Sequence, residues 1–127
     1  MKITKVETFQ VDWSGEGLPG GQDRPAGRKG PRSAFVRIET DDGMFGMGEA
    51  SPMQGGLASL VIIAQDMAPA LIGADPLDHA ILLDTLMHKC IKLGPEGAMT
   101  GALAALDTAL WDRNARAAGL PLYIHLP

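Results

Sequence analysis

The sequence predicts an α+β domain: a three-stranded antiparallel sheet followed by a three-helix bundle. Three observations predict it. The first fifty residues hold three segments rich in β-branched and aromatic residues, two of them joined by the turn Asp41-Asp42-Gly43. From Leu57 onward the apolar residues recur three and four apart, the spacing of a helix face. The strands come first and the helices after, which is the order of a layered α+β fold and not of alternating βαβ units.

Residues 2–12 read as the first strand. Ile3, Phe9 and Val11 keep one parity and Val6 breaks it, so a bulge or twist is expected near Val6. Residues 33–40 form the second strand, with Ala34, Val36 and Ile38 facing one way and Arg37 and Glu39 the other. Gly43 is free to take positive φ in the hairpin turn. Residues 44–50 return as the third strand. Gly46 and Gly48 share a face there and allow another backbone to approach closely.

A helix begins near Leu57, with Leu57, Leu60, Val61, Ala64, Ala68 and Leu71 as its stripe. Pro69 removes a donor and clashes inside a helix, so the regular helix ends or kinks near Met67. Asp75 caps a second helix, with Pro76 at its first position and Asp78 in its first turn. Ile81, Leu82, Leu86 and Met87 supply most of its apolar surface.

Gly94 to Gly97 break the chain before the longest helical stretch, Gly97 to Gly119. Met99, Leu103, Leu106 and Leu110 form its main stripe, widened by Ala98, Ala102, Ala105 and Ala109. Ala104, Trp111 and Ala115 make a second stripe, beside Asp107, so this helix is expected to be covered on two sides. Gly119 suits the left-handed cap and Pro121 stops continuation. Arg113 and Arg116 sit in the last turns, where positive charge is favourable.

A chain of 127 residues has room for one domain and one core. Its net charge of -4 argues against nonspecific nucleic-acid binding. The single cysteine, Cys90, excludes an internal disulfide and fits a reducing compartment. The N-terminus is polar and alternating, unlike a signal peptide, and no apolar segment approaches the ~20 residues that span a bilayer. A cytoplasmic protein without a membrane partner is the expectation.

The residues show no complete catalytic constellation. His79 and His88 are nine apart and do not share a helix face. Asp84 and His88 are four apart and can share a ligand, but two groups do not make a metal site. Cys90 has Lys89 and Lys92 nearby, which favours a lowered thiol pKa. Glu49 reads either as a buried, hydrogen-bonded carboxylate or as a site residue. Residues 14–32, dense in Gly and Pro and carrying Arg24, Arg28, Lys29 and Arg32, read either as a solvated loop or as a lid. Residues 51–56 are a second loop. The sequence carries no nucleophile elbow, phosphate loop or dinucleotide fingerprint.

A resemblance covers nearly the whole chain. MKITKVETFQV, PRSAFVRIETDDGMFGMGEASP, ADPLDH and ALAALDTALWD, in that order and spacing, resemble the N-terminal capping domain of the mandelate racemase and muconate lactonizing group of the enolase superfamily. The resemblance implies that this domain caps a separate (β/α) barrel carrying the catalytic bases and three carboxylates that hold magnesium. It implies no catalytic residue, no metal ligand and no cofactor in this chain. It makes residues 14–32 and 51–56 the two loops that close over the barrel mouth, with Arg24, Arg28, Lys29, Ser51 and Met53 as substrate-specificity residues and a carboxylate substrate, such as an acid sugar, bound only with a barrel. The ending YIHLP departs from the family pattern, as does Arg113 at a usually apolar position.

The reading is therefore a catalytically silent cap of a magnesium-dependent racemase or acid-sugar dehydratase, without its barrel. The alternatives are a binding or assembly module that joins a separately encoded barrel, and a small enzyme with its own site around Glu49, His88 or Cys90. A patch containing Trp111, left uncovered without a barrel, predicts a homo-oligomer, most simply a dimer, with the long helix at or near the interface.

Overall fold

β1 (Ile3–Asp12), β2 (Arg32–Thr40) and β3 (Phe45–Ala50) form one antiparallel sheet in the order β1-β2-β3. The computed structural model describes residues 1–12, 32–50, 56–94 and 96–127. Ala34, Val36 and Ile38 are buried on the inner face, as their parity predicts. In β1 the register shifts between Ile3 and Lys5, so the irregularity lies one step before the expected position near Val6. The shift resolves the broken parity. Ile3 is buried before it and Val6 half-buried after it, both toward the core. Phe9 and Val11 thereby turn outward, against the expectation that they follow Ile3. Phe9 stacks on Phe35 on the outer face, with ring centroids 5.5 Å apart.

At the β2–β3 turn, Gly43 has φ +80°, and Thr40 N–H donates to Met44 O at 3.0 Å. The returning strand lies against the backbone of the long helix α4 (Ala98–Ala117). A Cβ at Gly46 would sit 2.0 Å from Ala109 O, and one at Gly48 would sit 1.9 Å from Ala105 O. No side chain fits at either position. This is the close approach that two glycines on one strand face predict.

The first helical stretch comprises α1 (Gly56–Ile62), a π-turn (Ile63–Met67) and α2 (Ala68–Leu71). The kink expected near Met67 takes this form. Ala68 N–H bonds back to Ile63 O, across five residues, just before Pro69. The buried line is Leu60, Ile63, Met67 and Leu71, whereas Leu57 and Val61 of the predicted stripe are exposed. Asp75 accepts from Leu77 N–H at 2.9 Å and opens a short 3-10 turn (Pro76–Asp78) leading into α3 (His79–Lys89). Only Leu86 of the expected apolar set is fully buried on α3, and Ile81 and Met87 face outward.

α4 buries Met99, Ala102, Ala105, Leu106, Ala109 and Leu110 against the sheet and the other helices. It ends as predicted. Gly119 takes φ +68° and donates to Arg116 O, while Leu120 N–H reaches Ala115 O, both at 3.0 Å. A short α5 (Leu122–His125) follows. Trp111 is half-buried, with His79 at 4.3 Å and His125 at 5.7 Å between ring centroids, and Ala115 is fully buried. Of the second stripe Ala115 is thus buried and Trp111 partly covered by this chain, while Ala104 is exposed. Among the described residues no helix is long and apolar enough to cross a membrane.

Candidate functional site

The register of the sheet decides what can be built at its two ends. Asp12 pairs with Arg32, and Ala34 pairs with Ala50. The strand ends that bound residues 13–31 and 51–55 therefore lie together, at the end opposite the Asp41–Gly43 turn. Ala34 and Ala50 are buried there, and Ser33 is nearly so, which makes the anchors rigid. Two chain segments depart from one braced edge. The sequence-predicted site residues Arg24, Arg28, Lys29, Ser51 and Met53 belong to those segments and lie outside the described residues.

The other candidates are dispersed. Glu49 is exposed on the outer sheet face beside Phe45 and Met47, so it is not the buried carboxylate that was one of its two readings. His88 Nδ1 lies 2.8 Å from Asp84 O and 3.5 Å from Asp84 Oδ1, on a helix surface where both side chains are about two-thirds exposed. Cys90 is buried, and burial pushes its thiol pKa up, helped by the charge of Asp66; Lys89 opposes this only weakly. The expected lowering by neighbouring lysines is overturned because desolvation of the thiolate outweighs them. These three groups do not converge on one site.

The strongest polar constellation was not foreseen. Arg113, expected near the helix end for its dipole, is fully buried beneath the hairpin. Its Nε donates to Thr40 Oγ1 at 3.0 Å, and Nη1 donates to Asn114 Oδ1 at 3.1 Å. Nη2 reaches Asp42 Oδ2 and Met1 Sδ. Asn114 in turn donates to Pro76 O at 3.0 Å. A hydrogen bond from Thr40, with further contributions from Arg113 and the Met44 N–H, holds the Asp42 carboxyl down to about 2. The cluster bolts the hairpin, the N-terminus and the start of α3 to α4. The signal available in the sequence was Arg113 itself, standing at a position that the family pattern usually makes apolar.

A second bolt closes the sheet edge. Met47 N–H donates to Asp112 Oδ2 at 2.9 Å, and the same oxygen accepts from Arg116 Nε at 2.9 Å. The guanidinium groups of Arg37 and Arg116 both lie over the Phe45 ring, at 4.2 and 4.6 Å from its centroid. These groups are engaged with one another.

A family model described as the N-terminal domain of mandelate racemase / muconate lactonizing enzyme matches residues 26–126. This chain belongs to that family.

Over 124 residues the chain is 35% identical to the D-galactonate dehydratase of Verminephrobacter eiseniae, covering 97% of this chain and 27% of that protein. It is 39% identical over 89 residues to the D-mannonate dehydratase of Rhizorhabdus wittichii, covering 69% of this chain and 22% of the relative. The solved mandelate racemase/muconate lactonizing protein from Paracoccus denitrificans, complexed with magnesium, shares 50% identity and a TM-score of 0.79 over 97% of this chain and 29% of its own. The chain spans less than a third of each of these relatives. A hard divalent ion wants several oxygen ligands. Among the described residues no three His, Cys, Asp or Glu side chains come together, so those residues do not form a magnesium site.

Proposed function

We propose that this chain is the capping, specificity-setting domain of a magnesium-dependent acid-sugar dehydratase or racemase, silent in the absence of a (β/α) barrel. The observation that carries the reading is the shared edge from which residues 13–31 and 51–55 depart, set by the Asp12–Arg32 and Ala34–Ala50 pairs. A cap that selects substrate needs two loops held on one rigid base and aimed the same way. The dehydratase relatives support the substrate class, sugar acids, and the magnesium-bound neighbour supports the cofactor of the whole enzyme. On this reading Arg24, Arg28 and Lys29 face the carboxylate end of the substrate, where cations favour an anion, and Ser51 and Met53 line the second loop.

A chimera tests the reading: residues 1–127 replace the corresponding region of the Verminephrobacter D-galactonate dehydratase. Magnesium-dependent dehydration of acid sugars with an altered substrate ranking is expected. Replacing Arg28 and Lys29 by Ala should raise KM more than it lowers kcat, because these residues bind and do not react. The isolated chain should show no turnover. Acid-sugar turnover by the isolated chain, or a chimera whose ranking ignores these loops, would overturn the proposal.

A further inference from the structure

We propose that the outer face of α3 is a self-association site, at which two copies of this chain pack their α3 helices antiparallel about a twofold axis level with Leu86. α3 carries apolar residues on two sides. Leu86 is buried, and Leu82 and Leu83 pack partly against the core. The opposite side holds Leu77, Ile81, Asp84, His88 and Ile91, spaced four, three, four and three apart. That is the seam of a helix that meets another helix. Leu77 lies in the short turn before α3, and Ile91 opens the 3-10 turn (Ile91–Leu93) after it. Ile81 is 68% exposed and Ile91 60%, and among the described large apolar residues only Tyr123 is more exposed than Ile81. Met87 flanks the seam and is exposed too. A helix packed on one side needs one apolar stripe. A second stripe open to water marks a contact surface.

The pattern of the seam selects a second copy as the occupant. In an antiparallel pair of helices each layer joins the two different heptad positions. An axis level with Leu86 sets Ile81 against Ile91 of the second copy and Asp84 against His88 of the second copy, and symmetry repeats both contacts. Two apolar layers then enclose two acid–imidazole layers. The registers half a heptad to either side set Ile81 against Asp84 or Ile91 against His88, each an apolar group on a polar one. The seam is thus complementary to itself in one register, which a twofold pairing requires.

Charge fixes the direction. Asp84 and His88 already stand side by side within one chain, Oδ1 to Nδ1 at 3.5 Å, with both side chains about two-thirds exposed. Across the axis they close a ring of four groups, acid and imidazole in alternation. Asp78 stands at the start of the element and Lys89 and Lys92 at its end, all exposed. An antiparallel partner brings the acidic start toward the basic end, whereas a parallel one sets like charges together. The surface differs from the α4 face that the sequence singles out. One short helix buries little area, so a Kd on the order of 100 µM is expected.

Sedimentation of the 127-residue chain, from micromolar concentration to about 1 mM, tests the proposal alongside three variants. Wild type should pass from monomer to dimer across that range. Ile81→Asp should weaken the dimer by about tenfold or more, because each copy then sets a carboxylate in an apolar layer. Asp84→Lys should weaken it by about tenfold, because two cations then face imidazoles. Combining Asp84→Lys with His88→Asp restores opposite partners across the axis and should restore the dimer, a recovery specific to the register level with Leu86. All three positions are exposed, so each variant should keep the wild-type circular dichroism spectrum, which separates lost pairing from lost folding. A wild type still monomeric at about 1 mM, a dimer indifferent to Ile81→Asp, or a double variant no tighter than Asp84→Lys alone overturns the proposal.

Discussion

Gly48 and Ala105 meet backbone to backbone: a Cβ on the glycine would lie 1.9 Å from the alanine carbonyl oxygen. Gly46 meets Ala109 in the same way one helical turn further on. The approach sets the distance between α4 and β3, and with it the position of the β3 end that bounds residues 51–55. Neither contact can relax by a side-chain rotation, since both partners are main chain. Gly48→Ala must therefore push the helix off the sheet. We expect a loss of about 3 kcal/mol or more in chemical denaturation, at the upper end of overpacking effects. A loss under roughly 1 kcal/mol would show that α4 shifts freely and that the sheet is not braced by it.

Arg113→Ala should be costly for a different reason. It leaves the partly exposed Asp42 carboxylate and the buried Asn114 and Thr40 side chains without their shared donor. The cost comes from the buried Thr40 and Asn114 side chains and from the space the guanidinium filled, because the exposed Asp42 carboxylate is left to water. Arg113→Met, which fills the same space, should recover part of the loss. Equal destabilisation by both would assign the role of Arg113 to its hydrogen bonds alone.

The same cluster predicts a pH dependence. Asp42 titrates near 3.8 when unfolded and at about 2 when folded. A depressed carboxyl pKa contributes stability that is full above the unfolded value and lost as pH falls through the folded one. The stability gap between wild type and Asp42→Asn should thus be constant at neutral pH, begin to shrink below about pH 4 and go on shrinking as pH falls through about 2. A gap that does not change between neutral pH and pH 2, read by urea titration, would refute the assignment of the low pKa to this carboxyl.

Cys90 should resist alkylation in the native state. The thiol is buried and its pKa is raised by desolvation, so little thiolate is present and access requires opening. Labelling at neutral pH should speed up sharply with sub-denaturing urea. Rapid modification in buffer, at the rate of a free thiol, would place Cys90 in an accessible pocket and reopen it as a reactive site.

Several elements were legible from the residues alone. Strand parity located Ala34, Val36 and Ile38 in the core, Asp75-Pro76 marked a helix start, and Gly119 marked a helix end, because each is a local signal whose physics acts within a few residues. The paired glycines of β3 predicted a close backbone approach, though not which helix would make it. The helix faces were read less well. Leu57 and Val61 look equivalent to Leu60 by spacing, but the line that packs inward is Leu60, Ile63, Met67 and Leu71, and spacing alone does not say which flank of an apolar stripe meets the core.

The sequence by itself determined the family, the order of sheet and helices and the core parity of β2, since these rest on composition, period and turn chemistry. Only the tertiary structure decided that Arg113 belongs to the hairpin, that Cys90 is buried, that Trp111 lies between His79 and His125, and that the ends of all three strands gather at one edge. Each of these depends on groups tens of residues apart being brought within bonding distance. No local pattern encodes that, because burial and the field of a distant charge exist only once the chain has packed.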